Sequence, residues 1–296
     1  MTKRFKTAAL VGLYTDKRVA GPMQTIATHL QKVGLKVLVS PEVASELNAA
    51  PVKVRDLAKQ ADLIIAVGGD GTMLYAARQL GSLDVPLLGV NRGRLGFLAD
   101  VSPTQMLDSF DRILAGDYTI ESRLRLEARL EFSDGTEKTA LALNDIVLQR
   151  QDTGRMLDFE TRIAGRYVNT HMGDGLIIAT PTGSTAYAIS CGGPILEPKI
   201  DAVALVPICP HILSDRSIVI PASQQIDVQL LSREGAKASV SVDGQSLGDL
   251  TPENRLTIAE SSNKITLIHP PGYDYYEILR SKLHWGKDSR KSLNDE

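Results

Sequence analysis

A carboxylate set inside a run of glycines is the first feature of this chain whose residue types and spacing point to chemistry. The run is Ala66-Val67-Gly68-Gly69-Asp70-Gly71-Thr72, where an apolar strand-like segment gives way to a helix-like one. Glycines at such a junction let the backbone turn tightly and bring N–H groups against phosphate oxygens, with the positive end of the following helix beyond them. Asp70 is the odd member, because a carboxylate among phosphate-binding amides repels a polyphosphate unless a cation or a proton-donating hydroxyl lies between. That favours a reacting role; the competing explanation is a tight strand-to-helix turn with Asp70 as its N-cap. Two common nucleotide motifs are absent. Gly69-Asp70-Gly71 is followed by Thr72, Met73 and Leu74, so the third glycine of the dehydrogenase fingerprint is missing, and there is no GxxxxGK[ST] phosphate loop.

Three further segments carry polar groups suited to a nucleotide. In Leu143-Asn144-Asp145-Ile146-Val147, Asn144 offers a donor and an acceptor that suit the edge of adenine, and Asp145 can accept from ribose hydroxyls or an exocyclic amine; a turn within a β-hairpin is the alternative. Asp174-Gly175, ahead of the apolar run Leu176–Ala179, suits a ribose or the orientation of a neighbouring group, or is a plain hairpin turn. Thr182–Ser190 is dense in small hydroxyl residues around Tyr187, and on its own reads as a capped helix start. His171 and His211 stand out, yet the five histidines lack metal-ligand spacing, so no structural metal is assigned.

These residues need elements to hold them. A chain of 296 residues with 43% apolar and 23% charged residues is long enough for roughly two domains, each with its own core. The first hundred residues alternate apolar runs (Ala8–Leu13, Leu35–Val39, Leu63–Val67, Leu87–Val90) with helical periodicity, which predicts an α/β domain with a parallel sheet. Met23, Ile26, Ala27, Leu30 and Val33 mark one crossover helix closed by Gly34, a second runs from about Thr72 to Leu80, and a third starts at Ser102-Pro103 and ends at Gly116. From about Arg123 the period changes to two. Leu124, Leu126, Ala128 and Leu130 alternate with charged residues before a Ser133-Asp134-Gly135 turn, and many short strands follow up to Lys264–His269, the pattern of an antiparallel sandwich. Tyr275, Tyr276, Ile278, Leu279 and Leu283 return to helical spacing. The predicted division is 1–120 for the α/β domain, 121–270 for a β-rich, sandwich-like C-terminal domain, and 271–296 for a helix packing back on the body.

Charge and composition exclude other classes. A net charge of −2 argues against broad binding to nucleic acid or to anionic membrane. Two cysteines, Cys191 and Cys209, without CxxC spacing suit a reducing compartment. The basic start is interrupted by Tyr14, Thr15 and Asp16 before signal-peptide length, and no run reaches the roughly 18 apolar residues of a membrane helix, so a soluble cytoplasmic protein is expected.

Gly68–Thr72 matches the GGDG[TN] motif shared by NAD kinases, diacylglycerol-type lipid kinases and the phosphofructokinase superfamily. The segment Asp174–Pro194 (DGLIIATPTGSTAYAISCGGP) strongly resembles NAD kinases, and Asn91–Leu98 is similar to that family's NxGxLGFL loop, with matching order over nearly the whole chain. The resemblance implies transfer of the γ-phosphoryl group of ATP to the 2′-hydroxyl of the adenosine ribose of NAD. It implies Asp70 as the catalytic residue, acting as base, positioner or metal ligand. It further implies nucleotide contacts at Gly68, Gly69, Gly71, Thr72, Phe97, Asn144, Asp145, Arg155, Met172, Asp174, Thr185, Ala186, Tyr187, Ala188, Ile189, Ser190 and Gln245. The family usually carries glutamate where this chain has the shorter Asp145. A divalent cation, normally magnesium, is implied to arrive with ATP, and the implied assembly is a homodimer or homotetramer. The active site is expected in the cleft between the two regions. The rival functions are a lipid or sugar kinase of the same superfamily and a non-catalytic NADP-binding sensor.

Overall fold

The structure is a computed structural model and describes residues 5–151, 156–231 and 236–285. The chain forms two units: residues up to Glu121 together with those from Thr266 onward, and Ser122–Ile265.

The first unit opens with β1 (Thr7–Gly12), α1 (Lys17–Lys32), β2 (Lys36–Val39), β3 (Ala50–Pro51), α2 (Val54–Gln60) and β4 (Leu63–Val67). It continues with α3 (Asp70–Leu80), β5 (Leu87–Val90), α4 (Met106–Leu114) and β6 (Thr119–Arg123). Asp16 caps α1 by accepting the N–H of Arg18, and the helix buries the stripe Val19, Met23, Ile26, Ala27 and Leu30. That stripe recurs every three or four residues, as a helix covering one face of a sheet requires. Both faces of β4 are covered, so all five of its residues are buried and apolar.

The second unit is antiparallel throughout. Its strands are β7 (Leu126–Glu131), β8 (Glu137–Ala142), β9 (Asp145–Arg150), β10 (Leu157–Ile163), β11 (Arg166–Gly173) and β12 (Gly175–Ala179). After the short α5 (Tyr187–Ser190) come β13 (Ala202–Ile208), β14 (Ile218–Pro221), β15 (Ile226–Leu230), β16 (Ala238–Val242), β17 (Gln245–Leu250) and β18 (Arg255–Glu260). They form two six-stranded sheets, ordered β11-β10-β15-β18-β7-β8 and β14-β13-β12-β9-β16-β17. Leu126, Ala128 and Leu130 of one sheet and Ile146, Leu148, Leu176 and Ile178 of the other share a single core. Ile177 and Ala179 point to the opposite face, where Ala188 and Leu196 cover them. This second layer explains why β12 reads as an unbroken apolar run while β7 alternates.

The chain then returns to the first unit as β19 (Ile265–His269) and α6 (Tyr275–Leu283). The compact second unit thus ends at Ile265, where the sequence pattern predicts a β-rich region running to residue 270. Leu267 pairs in parallel with Leu87 of β5, so the last strand belongs to the seven-stranded sheet ordered β3-β2-β1-β4-β5-β19-β6. A parallel partner cannot be supplied by a hairpin, and the apolar pattern of Ile265–Ile268 carries no sign of which sheet will take it. The architecture is otherwise as the sequence predicts, an α/β unit with a mostly parallel sheet and an antiparallel β-rich unit.

Candidate active site

In the first unit, β1, β2 and β3 run to one side and β4 and β5 to the other, so the order reverses between β1 and β4, with Gly12 paired to Val67 at their carboxyl ends. Ligands of open parallel sheets bind outside the carboxyl ends of strands at such a reversal. Gly68 and Gly69 leave β4 at this point, and Thr72 folds its side chain back over Gly68.

Gly69, in extended conformation, is the N-cap of α3, and Asp70 is its first helical residue. The N-cap explanation for Asp70 is therefore corrected: with glycine in that position, the carboxylate is free to bond elsewhere. It accepts three backbone N–H groups from another segment, Phe97 to Oδ2 at 3.1 Å and Leu98 and Ala99 to Oδ1 at 3.0 and 3.3 Å. Gly96 makes this approach possible, since a Cβ there would lie 2.3 Å from Asp70 Oδ1. A carboxylate has about four lone-pair directions, so three amides leave one, on Oδ2. Asp70 is half-buried and Gly71 exposed. Arg92, in the same segment, pairs with Asp16 at 3.1 Å, and its Nη2 lies 3.7 Å from the position of a Cβ on Gly69. Positive charge thus stands beside the glycine turn. The Phe97 ring is half-buried, with Lys282 Nζ of α6 at 6.0 Å from its centroid.

In the second unit, Asn144 and Asp145 do not form a hairpin turn, because β8 and β9 belong to different sheets and Leu143-Asn144 carries the chain from one to the other. The crossing is held by a residue that the sequence reading missed. Asp243 accepts the N–H groups of Leu143, Asn144 and Asp145 at 2.8, 2.8 and 3.1 Å, and its own N–H donates to the Asp145 carbonyl at 3.0 Å. Asp243 and Gly244 have φ of +46° and +73°, the signature of a two-residue type I′ hairpin between β16 and β17. The Asp-Gly dipeptide between two alternating runs was the available signal for the turn. Burial, with the negative charge of Asp243 second, pushes the Asp145 carboxyl up to about 6.

Thr180 fastens the next segment to the same crossing. Its hydroxyl donates to the Leu143 carbonyl at 2.5 Å and accepts from Gly183 N–H at 3.1 Å, and its N–H donates to the Asn144 carbonyl at 2.9 Å. A Cβ on Gly183 would lie 2.0 Å from that carbonyl oxygen, so only glycine fits. Arg123 adds a buried hydrogen bond to the Thr182 hydroxyl at 3.2 Å. The side-chain amide of Asn144, whose backbone lies against Gly183, makes no hydrogen bond among the described residues, leaving a donor and an acceptor available.

Tyr187 and Ser190 are exposed, and Thr185, Ala186 and Ile189 are half-buried. Ala188 is fully buried against Val147, Ile177 and Val206, so its methyl group serves the core and cannot face a ligand. Gln245 is exposed and follows the Asp243-Gly244 turn. Met172 lies on β11, and its carbonyl accepts the N–H of His211 at 2.8 Å. Asp174 is committed to an ion pair with Arg150 at 2.9 Å. Arg155 lies outside the described residues. His171 is a buried core histidine, 2.7 Å from Asp215 and 3.0 Å from the Thr161 hydroxyl, with its ring stacked on Phe159.

Residues 18–118 match the ATP-NAD kinase N-terminal domain, and residues 143–270 match the ATP-NAD kinase C-terminal domain. An NAD kinase of Aromatoleum aromaticum is 42% identical over 98% of both chains. Another, from Chromobacterium violaceum, is 43% identical over 97% of this chain and 99% of its own. A crystal structure of yeast NADH kinase complexed with NADH superposes with a TM-score of 0.89 at 25% identity, covering 97% of this chain and 89% of that one. An NAD kinase from Archaeoglobus fulgidus in complex with ATP gives 0.75 at 27% identity, covering 94% and 98%. With both domain matches in chain order and relatives above 40% identity along almost its full length, this chain belongs to the NAD kinase family.

Proposed function

We propose that this chain transfers the γ-phosphoryl group of ATP to the 2′-hydroxyl of the adenosine ribose of NAD, giving NADP and ADP. Membership of the NAD kinase family supports the activity, and the observation that carries the mechanism is the single acceptor direction left on Asp70 at the carboxyl end of β4. In this reading the ribose hydroxyl donates to Asp70 Oδ2 while its oxygen attacks the γ-phosphorus. The bond to the ADP oxygen breaks, and the hydroxyl proton passes to the carboxylate. A carboxylate of reference pKa about 3.9 is a poor base for a sugar hydroxyl, and a loose transition state asks little of the nucleophile early, so orientation is the larger part of the role.

Magnesium arrives with ATP in this proposal, bound to phosphate oxygens and neutralising charge there. The one remaining lone pair on Asp70 serves either the ribose hydroxyl or one coordination position of a cation whose other ligands are phosphate oxygens and water, so base, positioner and metal ligand are all compatible with it. The N–H groups of Gly69, Asp70 and Gly71, together with the Arg92 guanidinium, supply the fixed positive end for the phosphates, those of Gly68 and Thr72 being given to the carbonyls of Val90 and Gly69. Asn144, Asp145, Thr185, Tyr187, Ser190 and Gln245 supply dinucleotide contacts. The cytoplasm as the place of work and a homodimer or homotetramer as the assembly belong to the same proposal and rest on the family resemblance.

The test is incubation with ATP, magnesium and NAD, followed by an NADP-specific dehydrogenase. NADP is expected. ATP turnover only with a lipid or sugar acceptor, or nucleotide binding without turnover, overturns the proposal.

A further inference from the structure

Three buried side chains of the first unit form a cluster with no part in the chemistry above. His269, at the end of β19, is 1% exposed, with Nδ1 2.8 Å from Asp100 Oδ2 and Nε2 3.1 Å from Glu121 Oε2. Ionised carboxylates only accept, so contacts on both ring nitrogens call for a proton on each, the imidazolium form. Burial alone drives the His269 pKa down, but the two carboxylates outweigh it and the net direction is up. Tyr273 stacks on the ring at 3.7 Å between centroids.

The position of Asp100 gives this cluster a reach beyond itself. It directly follows Leu98 and Ala99, whose N–H groups hold Asp70 Oδ1. The segment is a tight turn, with Gly96 N–H donating to the Ala99 carbonyl at 3.0 Å. Asp70 therefore grips this turn at one end and His269 grips it at the other. Among the described residues the hydrogen bond from His269 is the one that fixes the Asp100 carboxylate, whose second oxygen, Oδ1, is buried without a partner.

We infer that His269 is a positioning residue for Asp70: by holding Asp100 it fixes the turn whose three N–H groups aim the Asp70 carboxylate at the acceptor hydroxyl. The inference rests on the proposed role of Asp70 and adds the residue that sets its aim. His269 touches neither substrate nor the reacting atoms. Its loss should therefore appear in turnover and not in substrate affinity, and only while Asp70 is present to be aimed.

The full chain is the material for the test. His269→Gln can serve one of its two carboxylates but not both, and should lower kcat at least tenfold while KM for NAD stays within about twofold. Asp100→Ala should do the same, and Asp100→Asn, which keeps an oxygen for His269 to donate to, should recover most of the lost kcat. Adding His269→Gln to Asp70→Asn should cost little more than Asp70→Asn alone, because both changes act through one carboxylate. If His269→Gln proves unfolded by circular dichroism, the Asp100 pair decides. Wild-type kcat in the His269 and Asp100→Ala variants, losses confined to KM, no recovery in Asp100→Asn, or losses that multiply with Asp70→Asn would each overturn the inference. A wild-type chain that makes no NADP would instead sink the kinase reading itself.

Discussion

Asp243 accepts the backbone N–H of Asn144 at 2.8 Å across 99 residues of sequence, and with its bonds to Leu143 and Asp145 it sets the course of the chain between two sheets. The Asn144 amide and Asp145 carboxyl are aimed by this contact, although Asp243 is proposed to touch no substrate. Asp243→Ala should weaken NAD binding by about tenfold to a hundredfold, the range expected for loss of roughly 1.5–3 kcal/mol of hydrogen bonding to a charged group. Calorimetric titration checks this, and unchanged affinity would show that the crossing holds its shape without the carboxylate.

Asp145 should make NAD affinity depend on pH. Its carboxyl is pushed up to about 6, first by burial, so it is an acceptor at pH 7 and a neutral acid at pH 5. Affinity should fall as pH drops through about 6 in the native chain and lose that step in Asp145→Asn. The stability effect has the opposite sense. A folded-state pKa above the unfolded value of about 3.9 gives a contribution that is full below pH 4 and is lost as pH rises through about 6. Asp145→Asn should accordingly remove a decline in melting temperature between pH 4 and 7.

Asp70→Asn should lower kcat by about a hundredfold to ten-thousandfold while NAD binding and the circular dichroism spectrum persist. The amide can keep an oxygen toward Leu98 and Ala99 but then turns its own N–H₂ toward Phe97 N–H, so the remaining acceptor is lost. Near-native turnover at saturating NAD would eliminate Asp70 from the chemistry.

Gly96→Ala tests the same geometry from the other side. A methyl group 2.3 Å from Asp70 Oδ1 must push the carboxylate or the turn aside. Turnover should drop at least tenfold, with NAD affinity measured by calorimetry nearly unchanged. Full activity would mean that the position of the carboxylate is uncritical.

Much of this was legible in the sequence because local rules dictate it. The stripe Val19–Leu30 and the apolar run Leu63–Val67 fix their own elements, and the glycines after β4 announce a turn at a strand end. Contacts between distant segments were not legible. Asp70 and Phe97 lie 27 residues apart, and nothing in the periodicity of either says that a carboxylate will accept the N–H of the other. The N-cap explanation failed because Gly69 takes the cap and leaves Asp70 free to bond outside its helix. The hairpin explanation for Asn144-Asp145 failed because period-two patterning identifies strands but not the sheet each one joins. Ala188 sits between the exposed Tyr187 and the half-buried Ile189, yet one helical step turns its methyl group into the core.

The return of β19 to the first unit bears on how the chain is born. In the finished sheet β19 lies between β5 and β6, so a slot between strands made early stays empty until residues 265–269 have been synthesised. By then every strand of the second unit has been synthesised, so its two sheets can close on each other as they emerge, before β19 is free to pair. The α/β unit waits with two unpaired strand edges for its last partner, and that interval is when the nascent chain is open to pairing with another copy of itself.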